Sequence, residues 1–452
     1  MPPGTPVASL TLNGYAIAGL LVVAYGAIVY GLWRAGWIGK DRTLSLFGPA
    51  LMIKTRRGRS FIERVGRRVR AWSIAGDVAI VLGAASMVAM VALLVLDAAV
   101  SVTVRTGAAP SVQEALGIPG INPIIPIGYG IAALVVGVAL HELFHGFVAR
   151  SQRIGVQSLG ILWCVIPIGA FVEQDDADME QADRRRRDRV AAAGILANFA
   201  IALVCFLLLS GLVASSVAPN ATGVGVLQTV AGAPAASAGI AGGDIITAFN
   251  GTPTPTNAAF AAAIAQTHPN QTVSVAYFSA VAGRTVETTV RLGANPTNRT
   301  IGYLGVYYSS LSPSQIRTAL LDPLALSGNP ITGAITWLLL PIAGLEPLQG
   351  GPASFYHMVG PLGAVGPGAG WILLNLLYWF AWMNFLLGAS NALPLVPLDG
   401  GLLVRDYASA LAARLRRGWD AVRIDRFGSS FAVASSLAVL LLLLWQFVVP
   451  RL

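Results

Sequence analysis

The sequence predicts a polytopic α-helical membrane protein of about six transmembrane helices plus re-entrant or interfacial segments, with a small α+β domain inserted. Three observations carry this expectation. Over 452 residues the composition is 55% hydrophobic and only 11% charged, whereas soluble domains hold about 25% charged residues. Apolar runs close to the roughly 20 residues that a bilayer requires recur along the chain. The basic residues are segregated: of 30 Lys and Arg, 11 fall in 34–70, 7 in 150–189 and 6 in 405–426. That is the positive-inside pattern, which orients a chain in a membrane. The net charge of +9 therefore gives no reason to expect a nucleic-acid partner.

Residues 1–75 hold the first span, Asn13 to about Trp33, and a basic cytoplasmic segment. No Lys or Arg precedes that span, so it lacks the basic region of a signal peptide and reads as retained. Phe61, Ile62, Val65, Val69 and Trp72 share a helical face, with Arg64, Arg67, Arg68 and Arg70 mostly on others. Such a helix is expected to lie on the anionic inner leaflet. Residues 76–216 form a membrane core with spans Val78–Leu96, about Ile127–Val148 and Val190–Val213. Within it, Gly155–Val172 is β-prone and broken by Gly and Pro, a poor helix. Non-helical backbone at membrane depth must be buried or line a cavity, so a re-entrant strand or hairpin is expected there. Cys164 and Cys205 sit in apolar runs and read as small buried hydrophobes.

Residues 217–310 change character: Thr, Ala, Gly and Asn abound, with strand-like runs such as Thr272-Val-Ser-Val-Ala-Tyr-Phe278. This is the inserted domain. Its four Asn-x-Ser/Thr sequons, at Asn220, Asn250, Asn270 and Asn298, suit an extracytoplasmic face. Residues 311–452 return to the membrane, with spans Trp371–Leu393 and Ser429–Val449. Ile331–Ile342 is too short to cross, and 311–370 reads as re-entrant or surface-lying. Parity then puts the inserted domain and both termini outside.

The chemistry centres on Gly137-Val-Ala-Leu-His-Glu-Leu-Phe-His-Gly146, which contains His141, Glu142 and His145. On a helix, positions i and i+4 share a face, so both imidazoles can reach one ion, with Glu142 beside them as general base. Zinc is the ion this pattern suits, with two protein ligands supplied and a third required. Acidic and imidazole residues inside a membrane helix are costly, and the default reading of them is functional. His268 and His357 read as ordinary polar residues of the outer side. Asp399, in Leu395-Val-Pro-Leu-Asp-Gly-Gly401, is the candidate third ligand. His145 and His141 precede Arg150 by five and nine residues, and Asp399 precedes Arg405 by six. At 1.5 Å per residue these are similar depths, about 8, 13 and 9 Å. Asn391 and Pro394 imply a broken helix nearby, where Asn391 could hydrogen-bond substrate backbone or an oxyanion.

These residues resemble the site-2 protease family of intramembrane zinc metalloproteases. Asn391-Ala-Leu-Pro-Leu-Val-Pro-Leu-Asp399-Gly400 looks like its Asn-x-x-Pro-x-x-x-x-Asp-Gly motif, and Ile168-Gly-Ala-Phe-Val172 resembles its membrane strand. Gly360-Pro361 and Gly194-Ile-Leu-Ala-Asn198 are similar to two further motifs, with Ile195 where the latter usually has Pro. Phe47–Gly58 looks most like archaeal members. The resemblance implies one Zn²⁺ on His141, His145 and Asp399, with Glu142 and Asn391 as catalytic residues. It implies substrate contact at Gly169, Ala170, Phe171 and Val172, and cleavage of the transmembrane segment of a single-pass protein within the lipid bilayer. Gly232-Ala-Pro-Ala-Ala-Ser-Ala-Gly-Ile-Ala-Gly-Gly-Asp244 and Asn250-Gly251 resemble a PDZ signature. A peptide tail would then add beside Val224, Gly225 and Val226. Two other readings stand beside the protease: a transporter or channel that uses intramembrane His, Glu and Asp, and an inactive PDZ scaffold in the plasma membrane.

Overall fold

The computed structural model describes residues 14–39, 42–103, 111–115, 117–322, 329–341 and 353–448. In chain order the elements used below are α1 (Gly14–Arg34), β1 (Leu44–Phe47), β2 (Ala50–Thr55), α2 (Arg59–Gly66), α3 (Val69–Thr103), α4 (Ile127–Ser151), β3 (Val156–Cys164), β4 (Ile166–Gln174), α5 (Arg184–Ser216), β5 (Val224–Thr229), β6 (Ile245–Phe249), α6 (Asn257–Ala265), β7 (Thr272–Ser279), β8 (Arg284–Arg291), β9 (Val306–Tyr308), α7 (Pro367–Asn391), α8 (Asp399–Leu415) and α9 (Ala421–Val448). Five described helices are long and apolar enough to cross a membrane: α3, α4, α5, α7 and α9. The sixth expected span, α1, offers a shorter apolar stretch, Gly19–Arg34. Asn13 and Val449, the expected outer ends of the first and last spans, and both chain termini lie outside the described residues. So does Ile342.

The chain divides into two compact units, 1–109, 134–200 and 385–452 forming the first. Its helices meet through small residues, as helices in lipid do when no hydrophobic effect drives them together. Gly76, Ala79, Gly83 and Met87 make one stripe on α3; Gly83 lies against Ile195 of α5 and Leu403 of α8. Ala79, Met87, Ala191, Ala192, Ile195, Ala392 and Leu403 form one buried cluster. At the basic end, Asp77 of α3 receives Nη2 of Arg185 and Arg189 of α5 at 3.0 and 2.8 Å. Arg189 also donates to Gln152, just beyond α4, at 2.9 Å.

The expected hairpin at Gly155–Val172 is half of a four-stranded antiparallel sheet, order β1-β2-β3-β4. The Phe47–Gly58 stretch supplies most of its partner: Leu51–Thr55 pair with Leu159–Trp163. The strand ends differ in polarity. Lys54, Ser158 and Glu173 meet at one end, with Lys54 Nζ 2.6 Å from Glu173 Oε1. Burial would raise the Glu173 carboxyl, but hydrogen bonds from Lys54 and Ser158 hold it below the usual carboxylate range. The other end is apolar and uncovered: Phe47, Ile166 and Ile168 are 60%, 59% and 58% exposed. There the Tyr25 hydroxyl of α1 accepts from Leu51 N at 3.1 Å and lies 2.8 and 2.9 Å from the Pro49 and Trp163 carbonyls.

The face expected to lie on lipid near residues 61–72 is largely used inside the protein instead. The helix breaks after Gly66, where a Cβ would strike Arg150. Ile62 is fully buried among Phe147, Val156 and Val172, with Val65 and Trp72 packed beside them. Only Phe61 and Val69 remain exposed. An apolar face finds protein before lipid when α4 and the sheet offer a matching surface.

The second unit comprises 110–133 and 201–384. Its main sheet has the order β8-β7-β6-β5-β9. The core is its own: Val224, Val226, Ile246, Phe249, Phe260, Val273 and Val275 are among the residues buried together. Asp244 ties the turns, accepting from Ala241 N and Ala280 N at 2.9 Å each. Val224, Gly225 and Val226 do not border an open groove, which corrects the expectation for them. Strand β5 is paired on both sides, by β6 and β9. Phe355 also covers Gly225, where a Cβ would overlap its ring. The free edges of this sheet are β9 and β8.

Candidate metal centre

The apolar run before His141 makes α4 a continuous helix of 25 residues. Its i, i+4 spacing puts both imidazoles on one side, T-shaped to each other with centroids 4.8 Å apart. Asp399 arrives from a different direction. Helix α7 ends at Asn391 and α8 begins at Asp399, so the intervening Pro-rich turn delivers a carboxylate at the first residue of a helix. Two glycines make the approach feasible: a Cβ at Gly400 would strike the Ala392 and Leu393 carbonyls, and one at Gly401 would strike Leu395.

The three side chains converge and are buried or nearly so. His141 Nε2 and His145 Nε2 are 3.1 Å apart. Asp399 Oδ2 lies 3.4 Å from the first, and Oδ1 3.5 Å from the second. A tetrahedron with the bonds of about 2.0–2.1 Å that zinc makes to N and O has edges of about 3.3 Å. The observed spacings bracket that value. Asp399 Oδ2 is buried with no hydrogen-bond partner among the described residues, which a ligand position explains. The donor set, two imidazoles and one carboxylate with a position left over, is that of an open zinc site.

Glu142 sits beside this group, its Oε2 accepting from Val172 N of β4 at 3.0 Å. The general-base candidate and the edge strand are thus in direct contact. Gly169, Ala170, Phe171 and Val172 all lie on β4, which pairs only with β3, Leu159 opposite Val172 and Leu162 opposite Gly169. Gly146, next to His145, leaves room for Ile62 and Val172 to close in. Asn391 ends α7 and donates to the Leu387 carbonyl at 3.0 Å; it makes no hydrogen bond to the three converging residues among those described. His268 faces Thr300 O and His357 faces Asn220 Oδ1, so neither joins the cluster.

Helix α5 supplies partners that spacing alone did not single out. His145 Nδ1 lies 2.6 Å from the Val190 carbonyl, and His141 Nδ1 lies 3.2 Å from the Asn198 amide. A Cβ at Gly194 would overlap the His141 ring. The visible signal was the Gly194/Asn198 spacing of one helical turn; a backbone carbonyl leaves no trace in a sequence.

The model for peptidase family M50 matches residues 129–434. The chain is 34% identical over 160 residues to an uncharacterized protein of Methanocaldococcus jannaschii, covering 35% of this chain and 42% of the relative. It is 29% identical over 160 residues to metalloprotease MmpA of Caulobacter vibrioides, covering 25% and 39%. Zinc metalloprotease Rip1 of Mycobacterium tuberculosis is 26% identical over 335 residues, covering 60% and 82%. The chain thus spans less than half the length of the first two of these relatives.

Proposed function

The chain belongs to peptidase family M50, and from that premise we propose that it is an intramembrane zinc metalloendopeptidase cleaving the transmembrane segment of a single-pass membrane protein. The observation that carries the reading is the spacing of His141, His145 and Asp399, three donors on two separate helices at the edge lengths of a zinc tetrahedron. Five apolar helices make the chain an integral membrane protein. The segregated basic residues support a cell-membrane orientation with basic loops cytoplasmic, and the second unit's strand-rich module and both termini outside.

His141, His145 and Asp399 would hold the ion, and a zinc ion so bound supplies a Lewis acid and an acidified water. Glu142 takes the proton of the attacking water and passes it to the leaving amide nitrogen. Val172 N–H holds the Glu142 carboxylate in place for both transfers. A strand's N–H and C=O groups alternate sides. Because Val172 N–H faces Glu142, the main-chain groups of Ala170 face the same way, away from β3. A substrate helix unwound into a strand could pair there, its scissile bond brought to Glu142. Asn391 would meet substrate through its amide oxygen and second N–H, the first N–H being held by the Leu387 carbonyl. The module resembles a PDZ domain, and a peptide tail would add at the free β9 edge rather than at β5.

Metal analysis of the purified protein tests the reading first. About one zinc per chain is expected, with Asp399→Ala largely losing it. Glu142→Gln should keep the zinc and lose cleavage of a model transmembrane substrate. Cleavage that survives in Glu142→Gln, or wild-type protein without zinc, overturns the proposal. Zinc-free protein would instead favour a transporter or scaffold.

A further inference from the structure

We propose that a cavity at the start of α3 binds one anionic phospholipid, its phosphate held by Arg64 and Arg68 and an acyl chain lying along α3. The inference goes beyond the peptidase reading and uses none of the zinc chemistry. Two arginine clusters on the basic side of the chain point to it. Residues 184–189 hold five arginines, and each has a carboxylate. Arg184 meets Asp188, Arg185 and Arg189 meet Asp77, Arg186 meets Asp183, and Arg187 meets Asp406. Residues 56–70 hold seven arginines and a single acid, Glu63. None of those seven forms an ion pair with a described residue. The first cluster is neutralised from within, and the second is left for an anion from outside.

Two members of the second cluster, Arg64 and Arg68, border a cavity of about 480 Å³ whose other walls are Val65, Ala71, Trp72 and Ala75. Arg64 is on α2, and Arg68 lies in the break before α3. Trp72 braces that break, its indole N–H donating to the Val65 carbonyl at 2.9 Å. A guanidinium meets phosphate oxygens with paired N–H donors. Two of them beside an apolar floor suit a phosphodiester that carries hydrocarbon. The floor continues towards the membrane. Ala71, Ile74, Ala75, Val78 and Val81 share one face of α3 by their spacing of three and four. Of these, Ile74, Val78 and Val81 are exposed. Ala75 precedes Val78 by about 5 Å along the axis, so the cavity sits where the apolar run of the span begins. A free phosphate would use the arginines and not the apolar track. The apolar face of residues 61–72 is used inside the protein, so this segment meets the bilayer through its charges instead.

Native mass spectrometry of the detergent-solubilised protein tests this, with dioleoyl phosphatidylglycerol and dioleoyl phosphatidylcholine as probes. Wild-type protein should hold one phosphatidylglycerol about tenfold more tightly than phosphatidylcholine. The double change Arg64→Gln and Arg68→Gln should weaken phosphatidylglycerol about 30-fold, roughly fivefold for each basic residue. Arg185→Gln with Arg186→Gln removes the same charge from paired positions and should shift binding less than about threefold. Equal weakening by the two double variants, or no preference for phosphatidylglycerol, overturns the proposal. Excess inorganic phosphate should leave the lipid adduct in place; displacement would show a site for phosphate alone and overturn the lipid assignment. Arg64 and Arg68 are exposed, so their double variant should fold. Should it not, the wild-type preference and Ala75→Trp decide. Ala75→Trp fills the apolar floor and keeps both arginines, so phosphatidylglycerol should be lost; unchanged affinity overturns the site.

Discussion

Two antiparallel sheets in this molecule obey the same hydrogen-bonding rules and face different surroundings. The β5–β9 sheet of the second unit encloses an apolar core between itself and α6, and turns Arg284, Thr285 and Glu287 outward. The β1–β4 sheet of the first unit is enclosed only in part, where Ile62 and Phe147 cover Val156 and Val172; Phe47, Ile161, Trp163, Ile166 and Ile168 are uncovered. Water would penalise that surface, whereas hydrocarbon would not. The difference also extends to the edges. The module's β9 is short, as exposed edges in water tend to be. The β4 edge runs nine residues, and its last apolar residue, Val172, reaches Glu142. The lesson is that a sheet's outward residues report its solvent, and its free edge reports its work.

The largest break in this comparison should come from the module's core. Phe260 packs edge-on to Phe249 and Tyr308 at 5.6 and 5.4 Å. Phe260→Ala should cost the module about 3–5 kcal/mol and expose it to protease. Zinc content should not change; zinc loss would show that the two units share one stability. Next comes the solvent itself. Ile168→Asp should destabilise the protein in bicelles by about 2–3 kcal/mol, while Thr285→Asp on the module should stay within about 0.5 kcal/mol. Equal effects would deny the apolar sheet its lipid surroundings. Ala170→Pro removes an N–H from the β4 edge; cleavage should fall about 10- to 100-fold, some 1.4–2.7 kcal/mol, with zinc retained. The matching change on the other edge, Tyr307→Pro, should leave cleavage of a substrate without a peptide tail unchanged.

The smallest effect sharpens the picture at the polar end of the first sheet. The Glu173 carboxyl is held low by Lys54 and Ser158. A depressed folded pKa contributes stability above the unfolded value, and that stability disappears as pH falls through the folded value. Hydrogen-exchange protection of β4 should therefore drop as pH falls below the usual glutamate range. Glu173 is partly exposed, so the contribution stays under about 1 kcal/mol. Glu173→Gln should flatten the dependence; an unaltered acid profile would count against this pair.

Much of the site was legible because its determinants are side chains at fixed spacing. The i, i+4 pair needs only a helix, and Asp399 needs only a helix broken near its own depth. The spans, too, are written in composition. What escaped detection depends on main chain or on pairing between distant segments. The Val190 carbonyl has no signature. Phe47–Gly58 read as a motif rather than as a strand, because the partner of Leu51–Thr55, Leu159–Trp163, lies about a hundred residues on. Ile62 and Val65 showed which face was apolar but not what would cover it. Val224–Val226 was expected beside a groove because of the resemblance to a PDZ signature, which does not show which strand lies at the edge of the sheet.

The Tyr25 hydroxyl has a mechanical consequence. It lies within hydrogen-bond distance of three main-chain groups near the tips of both hairpins. In hydrocarbon each such group left unmet costs several kcal/mol. A displacement of the first helix without the hairpins would break the bond to Leu51 N–H and the carbonyl bond that the single hydroxyl proton makes, so this one group couples the helix to both hairpins.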